Sequence, residues 1–205
     1  CPGQENGGSV SIYKRNTGTD NWEFQGKIFN PNTANDDRFG TSVSISGDYL
    51  IVGAEMDDES GFNNTGSATI FKRNTTTGIW ESQGKLINPA AQANDLFGCA
   101  VSISGDYAIV GAKFDDEWAT DNGTATIFKR NTTTGLWESQ GKFLGPFSNY
   151  AECGASVSIN GGYAIIGAPK DDQLSKVDNG SAIIYALNAV TNTWDFQGNL
   201  FNLST

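Results

Sequence analysis

Histidine is wholly missing from this 205-residue chain, which removes the commonest general base and the commonest transition-metal ligand. Cysteine is scarce too: Cys1, Cys99 and Cys153 match no zinc-binding spacing. Cations are outnumbered, with 13 Lys and Arg against 23 Asp and Glu for a net charge of −10. A nucleic-acid binder neutralises phosphates with clustered cations, so this composition argues against nucleic acid and against an anionic membrane surface. Apolar runs last only a few residues, too short for a membrane span. Proline is rare at 5 residues while glycine reaches 25 among abundant Asn, Thr and Ser. That mixture suits short strands and tight turns rather than long helices. The chain opens on Cys1 rather than Met, and the expectation is that processing or fragmentation removed what came before.

What the sequence does contain is a repeat. The segment from Gly66 to Lys85 returns nearly verbatim from Gly123 to Lys142, with looser copies from Gly8 to Lys27 and Gly180 to Asn199. Trp22, Trp80, Trp137 and Trp194 mark the copies at spacings of 58, 57 and 57 residues. Between them lies a second block, Phe39 to Ala54, which recurs as Phe97 to Ala112 and as Cys153 to Ala168. Each period reads as four strands. In the first, residues 41–45, Val43 and Ile45 alternate with serines. The turn at 46–48 leads to an apolar second strand at 49–52, and an acidic loop follows. A β-branched third strand at 67–72, the hairpin Asn74 to Gly78 and a fourth strand from Trp80 to Leu86 complete the unit.

A second strand that is apolar on both faces cannot be buried by one unit, but stacked units bury it between neighbours. The fold class is therefore all-β, a β-propeller of four-stranded antiparallel blades. A stacked β-solenoid is the competitor, although its coils are usually shorter than this period. The blades are expected at 39–88, 97–145 and 153–202, preceded by third and fourth strands alone at 8–30, in a single repeat domain over 1–205. The unpaired half blade carries the expectation of a longer polypeptide, closing as seven blades.

These blocks resemble the FG-GAP repeat family, named for a Phe-Gly on one strand and a Gly-Ala-Pro after the next. Phe39-Gly40 and Phe97-Gly98 match, while Cys153-Gly154 departs; Gly53-Ala54, Gly111-Ala112 and Gly167-Ala168-Pro169 supply the second element. The resemblance implies blades like those of integrin α-subunit heads. Many members also carry a calcium loop between first and second strands. Here that loop has shrunk to residues 46–48, 104–106 and 160–162, too few carboxylates for a hard-cation cage. No metal and no cofactor is expected.

The acidic pairs after the second strands, Asp57-Asp58, Asp115-Asp116 and Asp171-Asp172, could act as acid and base, bind a cation or ligand, or accept loop N–H groups. Their recurrence at one place per unit points to a structural role or a multivalent surface rather than a single active site. The four repeated tryptophans read as packing residues before sugar platforms. Trp118 has no counterpart in the other copies and is the better ligand contact, with Phe62 and Phe114 weaker ones. The Lys-Arg pairs at 14–15, 72–73 and 129–130 read as solvated edge charges. Cys99 and Cys153 lie two positions apart in register, which favours buried thiols over a bridge. Cys1 is left to pair with a segment outside the chain or to carry a lipid.

Sequons stand at Asn63, Asn74, Asn122, Asn131, Asn179 and Asn202, with Asn74 and Asn131, at hairpin tips, expected to be glycosylated first. The leading functional expectation is a secreted or surface-displayed module, not an enzyme, that binds protein or glycan through loops on one face. Those loops diverge between copies while the hairpin tips do not. The alternative is a structural spacer or lattice element without a discrete ligand.

Overall fold

A computed structural model describes residues 7–31, 36–117, 119–145, 150–172 and 177–201. Among the described residues, fourteen strands form one two-stranded sheet and three four-stranded sheets. The half sheet pairs β1 (Ser9–Arg15) with β2 (Trp22–Phe29). The first full sheet runs β3 (Phe39–Ser46), β4 (Tyr49–Ala54), β5 (Ser67–Arg73), β6 (Trp80–Ile87). The second runs β7 (Phe97–Ser104), β8 (Tyr107–Ala112), β9 (Thr124–Arg130), β10 (Trp137–Leu144). The third runs β11 (Ser156–Asn160), β12 (Tyr163–Ala168), β13 (Ser181–Asn188), β14 (Thr193–Phe201). Every ladder is antiparallel between consecutive strands, so each full sheet is a four-stranded meander.

The sheets stack face to face, and the alternation of each second strand shows how. Ile51 packs into the same cluster as Val101, Ile103 and Val110 of the following sheet, whereas Leu50 and Val52 turn back towards Val10, Ile12 and Ile28 of the half sheet. Ile109 and Ile166 meet in the next cluster along. Burying one such side chain fully is worth about 1.5–3 kcal/mol, so both faces of the second strand stabilise the stack. Trp137 lies edge-on to Tyr49 of the preceding sheet at 6.1 Å, and Trp194 repeats this with Tyr107 at 5.5 Å. The repeated tryptophans are thus packing residues between sheets; Trp22, with no described sheet before it, is exposed.

The Phe-Gly and Gly-Ala glycines meet at these junctions. A Cβ on Gly53 would lie 2.0 Å from the Gly98 carbonyl oxygen, and one on Gly111 the same 2.0 Å from that of Gly154. Gly98 itself has a φ of +91°. Only glycine lets the two backbones approach this closely. First strands are joined by serine: Ile103 N–H donates to Ser44 Oγ at 3.2 Å, and Ile159 N–H to Ser102 Oγ at 3.1 Å. The serines alternating with Val and Ile therefore bond the first strand of the next sheet, from the face they share with Ile51 and Ile109.

Candidate functional site

At one end of each sheet the chain leaves its second strand in Gly-Ala and turns at once. Asp57 N–H donates to the Ala54 carbonyl at 3.2 Å, and Asp115 and Asp171 do likewise to Ala112 and Ala168, each at 3.3 Å. That turn drives the first aspartate of each acidic pair inward, leaving Asp57 3% exposed and Asp115 and Asp171 0%. Asp57 Oδ2 accepts from Ser67 Oγ at 2.5 Å and Lys85 Nζ at 2.6 Å. Asp115 Oδ2 accepts from Lys142 Nζ at 2.7 Å, Thr124 Oγ1 at 3.0 Å and Asn88 Nδ2 at 2.8 Å. Glu59 and Glu117 complete the ion pairs on Lys85 and Lys142. Burial alone would lower both lysines, but hydrogen bonds to these carboxylates outweigh it and raise them. In these two sheets a half-buried lysine held by two carboxylates ties the loop to the fourth strand; the third sheet has Asn199 at that position. Asp57, Asp115 and Asp171 are therefore out of reach of an external ligand, and their expected ligand contact gives way to a structural role.

The second aspartates point the other way. Asp58, Asp116 and Asp172 are exposed and accept the N–H groups of Asn64 (2.8 Å), Asp121 (2.6 Å) and Asp178 (2.9 Å), closing each loop. The loop then holds the linker to the next sheet. Asn94 N–H donates to the Asn63 carbonyl at 2.9 Å and Phe97 N–H to that of Thr65 at 2.9 Å. Tyr150 and Cys153 repeat this on Thr120 and Asn122, each at 2.8 Å. These backbone bonds weld loops and linkers into one continuous face.

Among the described residues, the linker backbone repeats at two positions. Asp36, Asn94 and Tyr150 have φ of 64°, 69° and 63°, and Arg38, Leu96 and Glu152 have 54°, 55° and 53°. Left-handed conformations at non-glycine residues cost energy and persist where surrounding structure imposes them. Yet the exposed side chains at the first position differ, a carboxylate, an amide and a phenol, while the second carries an exposed guanidinium in Arg38, a buried isobutyl group in Leu96 and a half-buried carboxylate in Glu152. Tyr150 and Phe62 are exposed on this face. Phe114 is half-buried beneath Lys113, whose Nζ sits 5.2 Å from the ring centroid. Tyr150 went unnoticed in the sequence because its copies are Asn94 and Asp36, so no repeated aromatic flagged it. Trp118 lies outside the described residues, as do Cys1 and Asn202.

The opposite end holds the short turns and hairpins. Arg130 Nε and Nη2 both donate to Asp106 Oδ1, the former at 2.9 Å, and Arg73 pairs with Asp48 at 3.5 Å. Lys72 and Lys129 lie over the rings of Tyr49 and Tyr107 at 5.5 and 5.3 Å. At 72–73 and 129–130 the Lys-Arg pairs thus clamp the turn rather than merely solvate an edge. Asn74 and Asn131 cap the hairpins, each Oδ1 accepting two backbone N–H groups. Asn63 is exposed and Asn179 half-buried, but Asn122 is 1% exposed. A sugar on Asn122 cannot coexist with this packing, which removes it from the glycosylation candidates. Cys99 and Cys153 are free thiols pushed up by burial, to about 11 and about 12.

Comparison with known proteins identifies the repeat. The FG-GAP repeat model matches residues 22–71, 80–128 and 148–185, more than half of the chain. Among solved structures, a protein from Lactobacillus plantarum superposes with a TM-score of 0.57 at 14% identity, over 93% of this chain and 48% of that one. Sqt1 of Saccharomyces cerevisiae superposes with a TM-score of 0.50 at 9% identity, over 80% of this chain and 36% of that one. The chain thus spans less than half the length of either, and at these identities the likeness is one of fold. No curated protein matches the sequence significantly.

Proposed function

From the premise that this chain belongs to the FG-GAP repeat family, and with its sheets being propeller blades, we propose that it is a secreted or surface-displayed binding module. It recognises protein or glycan through the face made by the second-to-third-strand loops and the linkers between blades. The supporting observation is one backbone, repeated to within a few degrees of φ, presenting different side chains at equivalent positions. A rigid scaffold with variable display is what recognition requires, because little ordering entropy is lost on binding. Binding rather than catalysis fits the fate of the repeated carboxylates: one of each pair is locked in the interior and the other closes a loop.

The test is a glycan array run beside a crosslinking pull-down from the native source, each with the parent chain and with Tyr150→Ala and Phe62→Ala. The reading expects hits for the parent that weaken at least about tenfold in one of the variants, as buried aromatic anchors do. Hits indifferent to both substitutions, but lost on changing the hairpin tips, would move the site to the opposite end. A second reading, a spacer element without a ligand, draws on the same internal use of the acidic pairs and expects no hits in either assay.

A further inference from the structure

We propose that Lys142 and Asp115 condense spontaneously into a side-chain amide, a covalent staple between the β8–β9 loop and β10. The observation is a set of groups, gathered on one buried carboxylate, that matches what acyl transfer requires. The Asp115 side chain is 0% exposed and that of Lys142 10%. Lys142 Nζ, the nucleophile, lies 2.7 Å from Asp115 Oδ2. That contact brings it to roughly the 3–3.5 Å from Cγ of a near-attack pair. Glu117 Oε2 sits 2.6 Å from the same nitrogen, on a side chain 37% exposed. The Glu117 N–H donates to Asp115 Oδ1 at 3.0 Å. Thr124 Oγ1 and Asn88 Nδ2 donate to Oδ2 at 3.0 and 2.8 Å.

Each group has a part in the step. At rest Lys142 is an ammonium between two carboxylates, and only its free amine can attack. Glu117 touches that nitrogen and also reaches solvent, so it takes the proton as general base. The amine then adds to Cγ, and the charge growing on Oδ1 meets the Glu117 N–H, a backbone donor already in place. Oδ2 is the leaving oxygen, with the Thr124 hydroxyl donating to it. The Nζ–Cγ bond forms and the Cγ–Oδ2 bond breaks. The oxygen departs as water with two of the three ammonium protons, and nothing is oxidised or reduced. Burial keeps bulk water from the new amide and so disfavours the reverse hydrolysis.

The equivalent places in the other sheets grade the requirement. At Asp57 the lysine, the second carboxylate and the hydroxyl recur as Lys85, Glu59 and Ser67. There, however, the Glu59 N–H turns to Thr65 Oγ1 at 3.0 Å, so the donor to the developing charge is lost. At Asp171 the nucleophile itself is gone, with Asn199 in place of the lysine. The amide therefore belongs to Asp115 first, is slower at Asp57 and is barred at Asp171.

The experiment is the intact mass of the 205-residue chain, unfolded after prolonged incubation at neutral pH, with peptide mapping of any deficit. At least one water is expected to be missing, in a cross-linked peptide pair joining Asp115 to Lys142. Lys142→Arg keeps the cation but not the amine and should regain that water. Glu117→Gln should form the bond at least about a hundredfold more slowly, with the circular dichroism of the parent. A parent chain at the full mass of its sequence would overturn the proposal. So would a deficit untouched by Lys142→Arg, which marks a cyclic imide instead, an equal rate in Glu117→Gln, or a bond at Asp57 with Asp115 still free.

Discussion

The junction between the first and second full sheets and the junction between the second and third use one backbone with two chemistries. The earlier one is built on Phe97, fully buried and edge-on to Phe128 at 6.3 Å, with Leu86 beside it. In the later one Cys153 takes the place of Phe97, and the fourth strand supplies Phe143 where Leu86 stood, 4.8 Å from Tyr185. A large residue has moved across the interface and a small one has moved back, which keeps the core filled. The polar chemistry changes alongside. Asn88 Nδ2 bridges Asp95 at 2.9 Å and Asp115 at 2.8 Å in the earlier linker, whereas the corresponding positions in the later one are Gly145 and Ala151. The difference teaches that the blade junction needs volume and a glycine pair, and that its polar network is replaceable.

The sharpest way to break the comparison is Phe97→Ala, expected to cost about 4 kcal/mol against about 1 kcal/mol for Cys153→Ala, read from urea midpoints. Equal costs would show that the two cores are not exchanged versions of one another. Next comes Asp115→Ala, which strips Lys142 of its most buried partner and should cost about 3 kcal/mol. Phe97→Cys combined with Leu86→Phe recreates the later junction in the earlier one. About half of the loss from Phe97→Cys alone should return, a coupling of about 1 kcal/mol between touching residues.

The polar difference predicts a pH effect at the Asp95 position of the earlier junction that the later one lacks at the equivalent position. Burial pushes the Asp95 carboxyl up to about 6, the Asp115 charge adds to this, and the Gln92 N–H, Lys142 and Asn88 oppose it. An acid raised on folding binds its proton more tightly in the native state. Its contribution is therefore fully present below its ordinary value near 4 and is lost as pH rises through about 6. Asp95→Asn should remove that part of the decline between pH 4 and 6 and stabilise the chain at pH 7 by about 1 kcal/mol. Ala151, its counterpart, offers no such group. The smallest effect expected is that of Asp106→Ala, which frees Arg130 at a partly exposed turn and should cost about 0.5 kcal/mol. The third copy has Gly162 there and does without the pair.

Strand order and the stacking of sheets were legible because the repeat forced them: a Val-Ser-Ile-Ser strand followed by one apolar on both faces has few other ways to be buried. The packing role of Trp137 and Trp194 followed from their position beside the hairpin. The inward turn of Asp57 was not legible, since two adjacent carboxylates look alike until a backbone bond to Ala54 decides which is buried. Nor could spacing announce that Lys85, 28 residues away, would complete its ion pair. Asn122 had the outward signs of a sequon in an Asn-Gly turn, and only the neighbouring linker, through Cys153 N–H on its carbonyl, reveals that it is sealed.

The measurement that bears most directly on the recognition face is a hydroxyl-radical footprint of the chain, free and bound to the strongest hit from the array or pull-down. Protection is predicted over the loops at 55–65 and 113–122 and the linkers at 88–96 and 150–153, with Tyr150 and Phe62 among the most shielded side chains. Protection concentrated instead on the hairpin tips at 74–79 and 131–136, with those loops as reactive as in the free chain, would contradict it.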